Sequence, residues 1–198
     1  MDFFARFEDA RRRWDVLRHP FYTRWERGEL SLEELADYAG QYRHAVVALA
    51  RTAANAASWE PALREHADEE AAHVALWDSF ASASGSGSGR PASAETRDCV
   101  RAWTADGIEA LAVLYAVESG QPEISETKLA GLVRHYGFAP EGPATAYFRV
   151  HAKLDRLHAE QARELIEAKA GAEEAERLLA VATGAVAGNW RLLDGVNE

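Results

Sequence analysis

Apolar positions recur at three- and four-residue steps along most of the chain, which is the period of a helix with one buried face. Alanine, leucine, glutamate and arginine are abundant, and all four are strong helix formers. Valine, isoleucine and threonine do not collect into the short alternating runs that are typical of strands. The pattern therefore predicts an all-α protein.

Local signals predict where the helices begin and end. Pro20 ends a first helix over residues 2–18, because the residue before a proline avoids the helical conformation, and Gly28 closes a short helix that follows. Ser31 and Glu34 form a capping box that opens a long helix to about residue 57. A bundle of seven or so helices results, and its remaining members are predicted at about 60–83, 94–120, 122–136, 144–170 and 172–193.

One stretch departs from the helical pattern, SASGSGSGRPASA at about 82–94. Its glycine and serine content is that of a flexible loop. We expect an exposed connection within a single domain that covers residues 1–198, because the segments on either side share candidate site residues.

Charge and cysteine content narrow the class of protein. The net charge is −10 and the isoelectric point is about 5.2, which disfavours binding to nucleic acid or to an anionic membrane. Cys99 is the single cysteine, so an internal disulfide is excluded and the composition fits a reducing cytoplasm. The sequence shows neither a signal peptide nor a run of about 18 apolar residues that a membrane helix needs. We therefore expect a cytoplasmic protein.

The segment HAKLDRLH is the most informative one for chemistry. His151, Asp155 and His158 follow each other at steps of four and three residues, so they lie on one stripe of a helix. Two imidazoles and a carboxylate on one stripe suit iron, manganese or zinc, and this combination is typical of non-haem iron oxygenases. The alternative is a buried structural histidine beside two solvent-facing residues.

A second candidate lies in the segment EHADEEAAH. Glu70 and His73 form a Glu-x-x-His pair, which occurs on facing helices of di-iron carboxylate bundles. Glu69 with His73 is an alternative pair, and His66 is close enough to compete for the same inward position. An ordinary charged helix face would also explain this segment.

Glu118 is the third candidate. It follows the apolar run AVLYAV, so its carboxylate either points to water at a helix end or lies inside the bundle. A carboxylate inside the bundle needs a metal, a cation or a proton.

The sequence resembles the heme-oxygenase-like di-iron oxidases, within the wider TenA/PqqC-like group. The resemblance is carried in order from about residue 19 to 160 by HPFYTRW, LADYAGQYRHAV, DEEAAHVALWDSF, LYAVESGQPEISETKLAGLVRHYG and YFRVHAKLDRLHAEQ. It is strongest to the CADD-like branch, which is associated with the formation of 4-aminobenzoate from a tyrosine of the protein itself.

The resemblance implies a seven-helix all-α bundle, two iron ions with manganese as an alternative in one position, dioxygen as co-substrate, and in many members a homodimer. The metal ligands that it implies are Glu70, His73, Glu118, His151, Asp155 and His158. Its implied catalytic residues are Tyr22, Tyr38 and Lys128. From the residues alone, the tyrosines could equally pack in the core, and an exposed lysine is the usual case.

Three features depart from the CADD-like pattern, and one of them is a shortened region between His73 and Glu118 around the Gly/Ser loop. The segment DEEAAH is shorter than its counterpart, which leaves open whether Glu69 or Glu70 is the ligand, and Val117 stands where that branch often has tyrosine. Three functional hypotheses follow: a di-iron oxidase that forms 4-aminobenzoate or oxygenates a small amine or amino acid, a metal-free enzyme of the TenA or PqqC type, and a non-enzymatic interaction protein.

Overall fold

The computed structural model describes residues 3–87 and 89–197, and within them all regular structure is helical. The α-helices are α1 (Phe3–Arg13), α2 (Pro20–Arg27), α3 (Leu32–Trp59), α4 (Arg64–Ala83), α5 (Ala94–Trp103), α6 (Gly107–Glu118), α7 (Gln121–His135), α8 (Ala146–Lys169) and α9 (Ala172–Asp194). Short 3-10 helices lie at Val16–Arg18, Pro61–Leu63 and Pro143–Thr145. The prediction of an all-α bundle is confirmed, but the described residues form more helices than the expected seven.

The first additional break lies before Pro20. The helix predicted over 2–18 ends at Arg13, and a 3-10 helix follows at Val16–Arg18. The side chain of Asp15 accepts a hydrogen bond from the backbone N–H of Leu17 and so begins the new turn.

The second break divides the helix predicted over 94–120 into α5 and α6. Helix α3 stabilises this break, because Thr52 donates to the carbonyl of Trp103 and accepts from the N–H of Ala105. Asn55 donates to the carbonyl of Ala105 in addition. The backbone groups that a continuous helix would pair internally are thus paired by another helix.

Helix α6 is the centre of the molecule, since every residue from Ala110 to Glu118 is buried. A helix that is buried all round must be surrounded by others, and α6 packs against α3, α8 and α9. Helix α4 packs against α3, and α8 packs against α4, α6 and α7. Glu118 at the end of α6 therefore lies where α4 and α8 also meet. Among the described helices, none combines the length and apolar character needed to cross a bilayer.

Candidate metal centre

Helices α4 and α8 carry the same pattern of residues on their buried faces. The pattern is histidine, an acid four residues later, and histidine three residues after that, which places all three side chains on one face. The six side chains are buried, and they are His66, Glu70 and His73 on α4 and His151, Asp155 and His158 on α8. Glu118 of α6 is buried beside them.

The histidines of the two helices meet in pairs. The rings of His66 and His158 stack with centroids 3.8 Å apart, and the rings of His73 and His151 lie 4.4 Å apart. The first histidine of α4 therefore meets the last histidine of α8, and the two helices run in opposite directions through the site. This arrangement gathers the donor groups of two helices in one buried volume.

The first group of donors consists of His66, Glu70, Glu118 and His158, each of which offers one ligand atom within 4.8 Å of the others. His66 Nε2 lies 2.8 Å from Glu118 Oε1. Two imidazoles and two carboxylates are thus close enough to bind one metal ion.

The second group consists of Glu70, His73 and His151, again with ligand atoms within 4.8 Å of one another. Glu70 Oε1 lies 2.8 Å from His73 Nδ1 and 3.8 Å from His151 Nε2. His151 Nδ1 donates to the carbonyl of Tyr147 at 2.8 Å, so Nε2 is the nitrogen that presents a lone pair to the group. Glu70 belongs to both groups, so its carboxylate lies close to the donors of each.

Asp155 lies beside these groups on the buried face of α8. It is fully buried, and its Oδ1 lies 4.0 Å from His158 Nδ1. Neither carboxylate oxygen of Asp155 has a hydrogen-bond partner among the described residues. This aspartate is therefore available as a further ligand.

The donor set fits a metal, because several buried polar atoms at the centre find no hydrogen-bond partner in the described part of the chain. Besides the two oxygens of Asp155, these atoms are His66 Nδ1, Glu118 Oε2, His151 Nε2 and His158 Nδ1. Burying an unpaired polar atom costs free energy, and a bound cation removes that cost. Imidazole and carboxylate donors suit iron and manganese.

Burial and mutual proximity shift the protonation of these groups. Burial raises the pKa of Glu118 and of Asp155 well above their usual values, and the nearby carboxylate of Glu70 adds to the rise. Burial lowers the pKa of His158 and lowers that of His151 to about 4. Burial alone would raise the pKa of Glu70, but the hydrogen bond with His73 and the histidine charges outweigh it and lower that pKa. Burial thus favours the protonated forms of Glu118 and Asp155, and a metal that binds them must displace those protons.

Five of the six candidate ligands that the sequence suggested belong to the two groups, which contain Glu70 rather than Glu69, and the sixth, Asp155, lies beside them. Glu69 lies at the rim and contacts His158. The sequence reasoning did not include His66 among the ligands, although the repetition of the α8 spacing on α4 was a signal for it. The structure therefore offers one more candidate donor residue than the six that the sequence predicted.

The three predicted catalytic residues form a second buried cluster. The hydroxyls of Tyr22 and Tyr38 lie 2.8 Å apart, and Lys128 Nζ donates to the hydroxyl of Tyr38 at 2.7 Å. The same Nζ lies 4.7 Å from the ring centroids of Tyr22 and of Tyr42. Burial lowers the pKa of Lys128 well below its usual value. The lysine is thus a buried amine within tyrosine rings, not the exposed residue that its type would suggest.

Aromatic packing connects this cluster with the metal centre. The ring of Tyr147 stacks on His151 with centroids 3.9 Å apart, and Trp77 contacts Tyr147 at 4.8 Å. Trp77 also packs against Tyr42 at 4.9 Å and against Tyr38 at 5.9 Å. The metal centre and the lysine–tyrosine cluster are therefore two ends of one continuous buried region.

Comparison with known proteins agrees with this site. The profile of the family described as iron-containing redox enzymes matches residues 37–190, so the chain belongs to that family. A 4-aminobenzoate synthase of Nitrosomonas europaea is 31% identical over 92% of this chain and 86% of its own length. A 4-aminobenzoate synthase of Chlamydia muridarum is 32% identical over 77% of this chain and 72% of its own.

Solved structures show the same fold at lower identity. A domain of unknown function with a heme-oxygenase-like fold from Shewanella denitrificans has a TM-score of 0.82 at 19% identity, covering 99% of this chain and 92% of that one. A TenA homologue from Pseudomonas syringae has a TM-score of 0.81 at 18% identity, covering 98% and 90%. At this identity the likeness establishes the fold, which is an all-α heme-oxygenase-like bundle. The chain is accordingly an iron-containing redox enzyme with a buried histidine–carboxylate cluster.

Proposed function

We propose that this enzyme is a di-iron oxidase that forms 4-aminobenzoate from one of its own tyrosines. The observation that carries the proposal is the buried cluster of Lys128, Tyr22 and Tyr38, which is joined by aromatic packing to a centre with two groups of metal donors. The relatives that are 31–32% identical are 4-aminobenzoate synthases, which supports the same chemistry here.

The metal centre would hold two ions. His66, Glu118 and His158 would bind the first, His73 and His151 the second, and Glu70 would bridge them. Asp155 would complete the set from α8. Bound iron, with manganese as an alternative in one position, would supply the activation of dioxygen.

Lys128 is the nitrogen-bearing group of the proposed reaction. Its burial favours the neutral amine, which retains a lone pair while one N–H donates to Tyr38. An ammonium ion has no lone pair and would not supply nitrogen. The pocket thus keeps the amine in the form that the proposed product requires.

The two tyrosines are held as neutral phenols. Burial raises the pKa of both Tyr22 and Tyr38 well above the usual value, so each keeps its hydroxyl proton within the shared hydrogen bond. Phe21 and Trp25 pack against Tyr38 at ring distances of 5.2 and 5.3 Å. These rings exclude water from the cluster, which protects reactive species from hydrolysis.

A single reconstitution experiment tests the proposal. The protein is purified without oxygen, loaded with ferrous iron and exposed to air, and iron content, oxygen uptake and 4-aminobenzoate are measured. We expect two irons per chain, and mass spectrometry should show the loss of a tyrosine side chain at Tyr22 or Tyr38. The Tyr22→Phe and Tyr38→Phe variants identify the residue, and Tyr115→Phe serves as a control because Tyr115 packs elsewhere, against Phe4 and Phe7.

The other results have defined meanings. Oxygen uptake with both tyrosines intact would contradict self-consumption and would indicate an oxygenase acting on an external small amine or amino acid. Absence of iron binding would contradict the di-iron assignment and would favour a metal-free enzyme of the same fold.

A further inference from the structure

Glu69 makes a contact with the metal centre that the ligand set leaves without a function. It lies on α4 next to Glu70, and its Oε2 is 2.8 Å from Nε2 of His158. The side chain of Glu69 is 37% exposed, whereas that of His158 is only 8% exposed. Glu69 is thus a rim residue that holds the outward-facing nitrogen of a buried histidine.

This contact determines which nitrogen of His158 faces the metal donors. A carboxylate can only accept, so Nε2 carries the proton and Nδ1 presents a lone pair. Nδ1 is buried without a hydrogen-bond partner in the described residues, and it lies 4.0 Å from Asp155 Oδ1. Histidines that bind metals commonly donate their second N–H to such a carboxylate, which fixes the orientation of the ring.

We propose that Glu69 is a positioning residue that holds His158 so that Nδ1 completes the first donor group, together with His66, Glu70 and Glu118. This inference rests on the proposed metal centre and concerns one of its two positions. In the second group, His151 is oriented instead by the backbone carbonyl of Tyr147. Loss of the Glu69 side chain should therefore weaken one metal position and leave the other unchanged.

The test is an anaerobic titration of the full-length protein with ferrous iron, comparing Glu69→Ala and Glu69→Gln with the wild type. Removal of such a carboxylate typically lowers metal affinity by about 10- to 100-fold, so Glu69→Ala should show one position with unchanged affinity and one weakened by that factor. The affinity of Glu69→Gln for iron at that weakened position should lie between those of Glu69→Ala and the wild type, because the amide oxygen can still accept a hydrogen bond from Nε2 of His158. Asp68→Asn is the matched control, since Asp68 is an exposed acid on the same surface and lies outside both donor groups.

A second readout does not depend on metal. Long-range proton–nitrogen NMR of the metal-free protein reports which nitrogen of each histidine carries the proton, and His158→Gln assigns the signal. We expect His158 of the wild type and of Asp68→Asn to carry its proton on Nε2 and that of Glu69→Ala to show a mixture.

Three outcomes would overturn the inference. The first is a Glu69→Ala variant that binds both ions as tightly as the wild type, and the second is a Glu69→Ala variant that loses both equally. The third is an Asp68→Asn variant whose binding is weakened as much as that of Glu69→Ala, which would make the effect one of surface charge. A wild-type protein that binds no iron is a different result, since it would contradict the proposed di-iron function itself.

Discussion

The rings of His66 and His158 lie face to face, with centroids 3.8 Å apart and planes inclined by 19°. Two imidazolium ions could not occupy this arrangement, because like charges at this distance repel. Burial lowers the pKa of both histidines, which keeps the rings neutral. The pair therefore presents nitrogen lone pairs at neutral pH, the form in which histidine binds metals.

The His66→Ala variant should lose one of two metal positions. His66 belongs to the first donor group and not to the second, so we expect one iron of unchanged affinity and one that binds at least about tenfold more weakly. Anaerobic titration with ferrous iron measures both. His44→Ala is the control, because the ring of His44 contacts the carbonyl of Arg90 away from the centre. Two tight irons in His66→Ala would remove this residue from the ligand set.

The Glu118→Gln variant should show separately how Glu118 affects the stability of the metal-free protein and how it affects metal binding. The folded protein raises the pKa of Glu118 above its value in the unfolded chain, about 4.3. The stability that this group contributes is therefore complete below about pH 4.3 and is lost as the pH rises towards the folded pKa. Glutamine resembles the protonated acid at every pH, so the metal-free variant should equal the wild type at pH 4 and exceed it at pH 8.

Thermal unfolding at the two pH values, with and without iron, measures both effects. The wild type should gain more stability from iron than the variant does, because bound ligand stabilises the folded state. A metal-free variant that is less stable than the wild type at pH 8 would show that the contact with His66 stabilises the ionised Glu118 without a metal.

Lys128→Met should stabilise the protein at neutral pH. The pKa of Lys128 is lowered by burial, so the stability contributed by this group is present above about pH 10.4, the value in the unfolded chain, and is lost as the pH falls. We expect Lys128→Met to be more stable than the wild type at pH 7, because the cost of burying the charge outweighs the hydrogen bond to Tyr38, whose loss costs about 1 kcal/mol. Denaturant unfolding at pH 7 and at pH 10 measures this gain in stability over the wild type, and the gain should disappear at pH 10. An equal gain at both pH values would mean that the charge is not its cause.

The Gly131→Ala variant should be less stable than the wild type, and the Gly184→Ala variant should be more stable. A Cβ at Gly131 would lie 2.6 Å from Cδ1 of Trp25, whose Nε1 donates to the carbonyl of Lys128. Overpacking of this kind costs about 1–3 kcal/mol. A Cβ at Gly184 meets no described atom within 4 Å, so alanine there should add up to about 1 kcal/mol through helix propensity. Thermal unfolding of both variants checks the pair, and a stable Gly131→Ala would show that Trp25 can shift without cost.

Much of the helical framework follows from local sequence. The capping box of Ser31 and Glu34 begins α3 as predicted, and the four-and-three spacing of His151, Asp155 and His158 places them on one face wherever the helix packs. Both features depend on residues within two helical turns of each other. Residue spacing is therefore sufficient to recognise half of the candidate centre.

Other features depend on contacts between distant segments. Glu69 and Glu70 are adjacent residues of the same type, and only the packing of α4 against α8 directs Glu70 inward and leaves Glu69 at the rim. The break between α5 and α6 is stabilised by Thr52 of α3, about fifty residues away.

The burial of Lys128 also depends on contacts between distant segments. The aromatic rings around its amine belong to α2, α3 and α8, and the sequence of its own helix does not specify them. Helical periodicity determines which side chains share a face, because that information is local to the chain. The angle and register between helices determine what each face contacts, and they arise from packing of the whole core. The sequence alone thus suggested six candidate donor residues, and the tertiary structure added His66, selected Glu70 over Glu69 and brought the donors together beside a buried lysine.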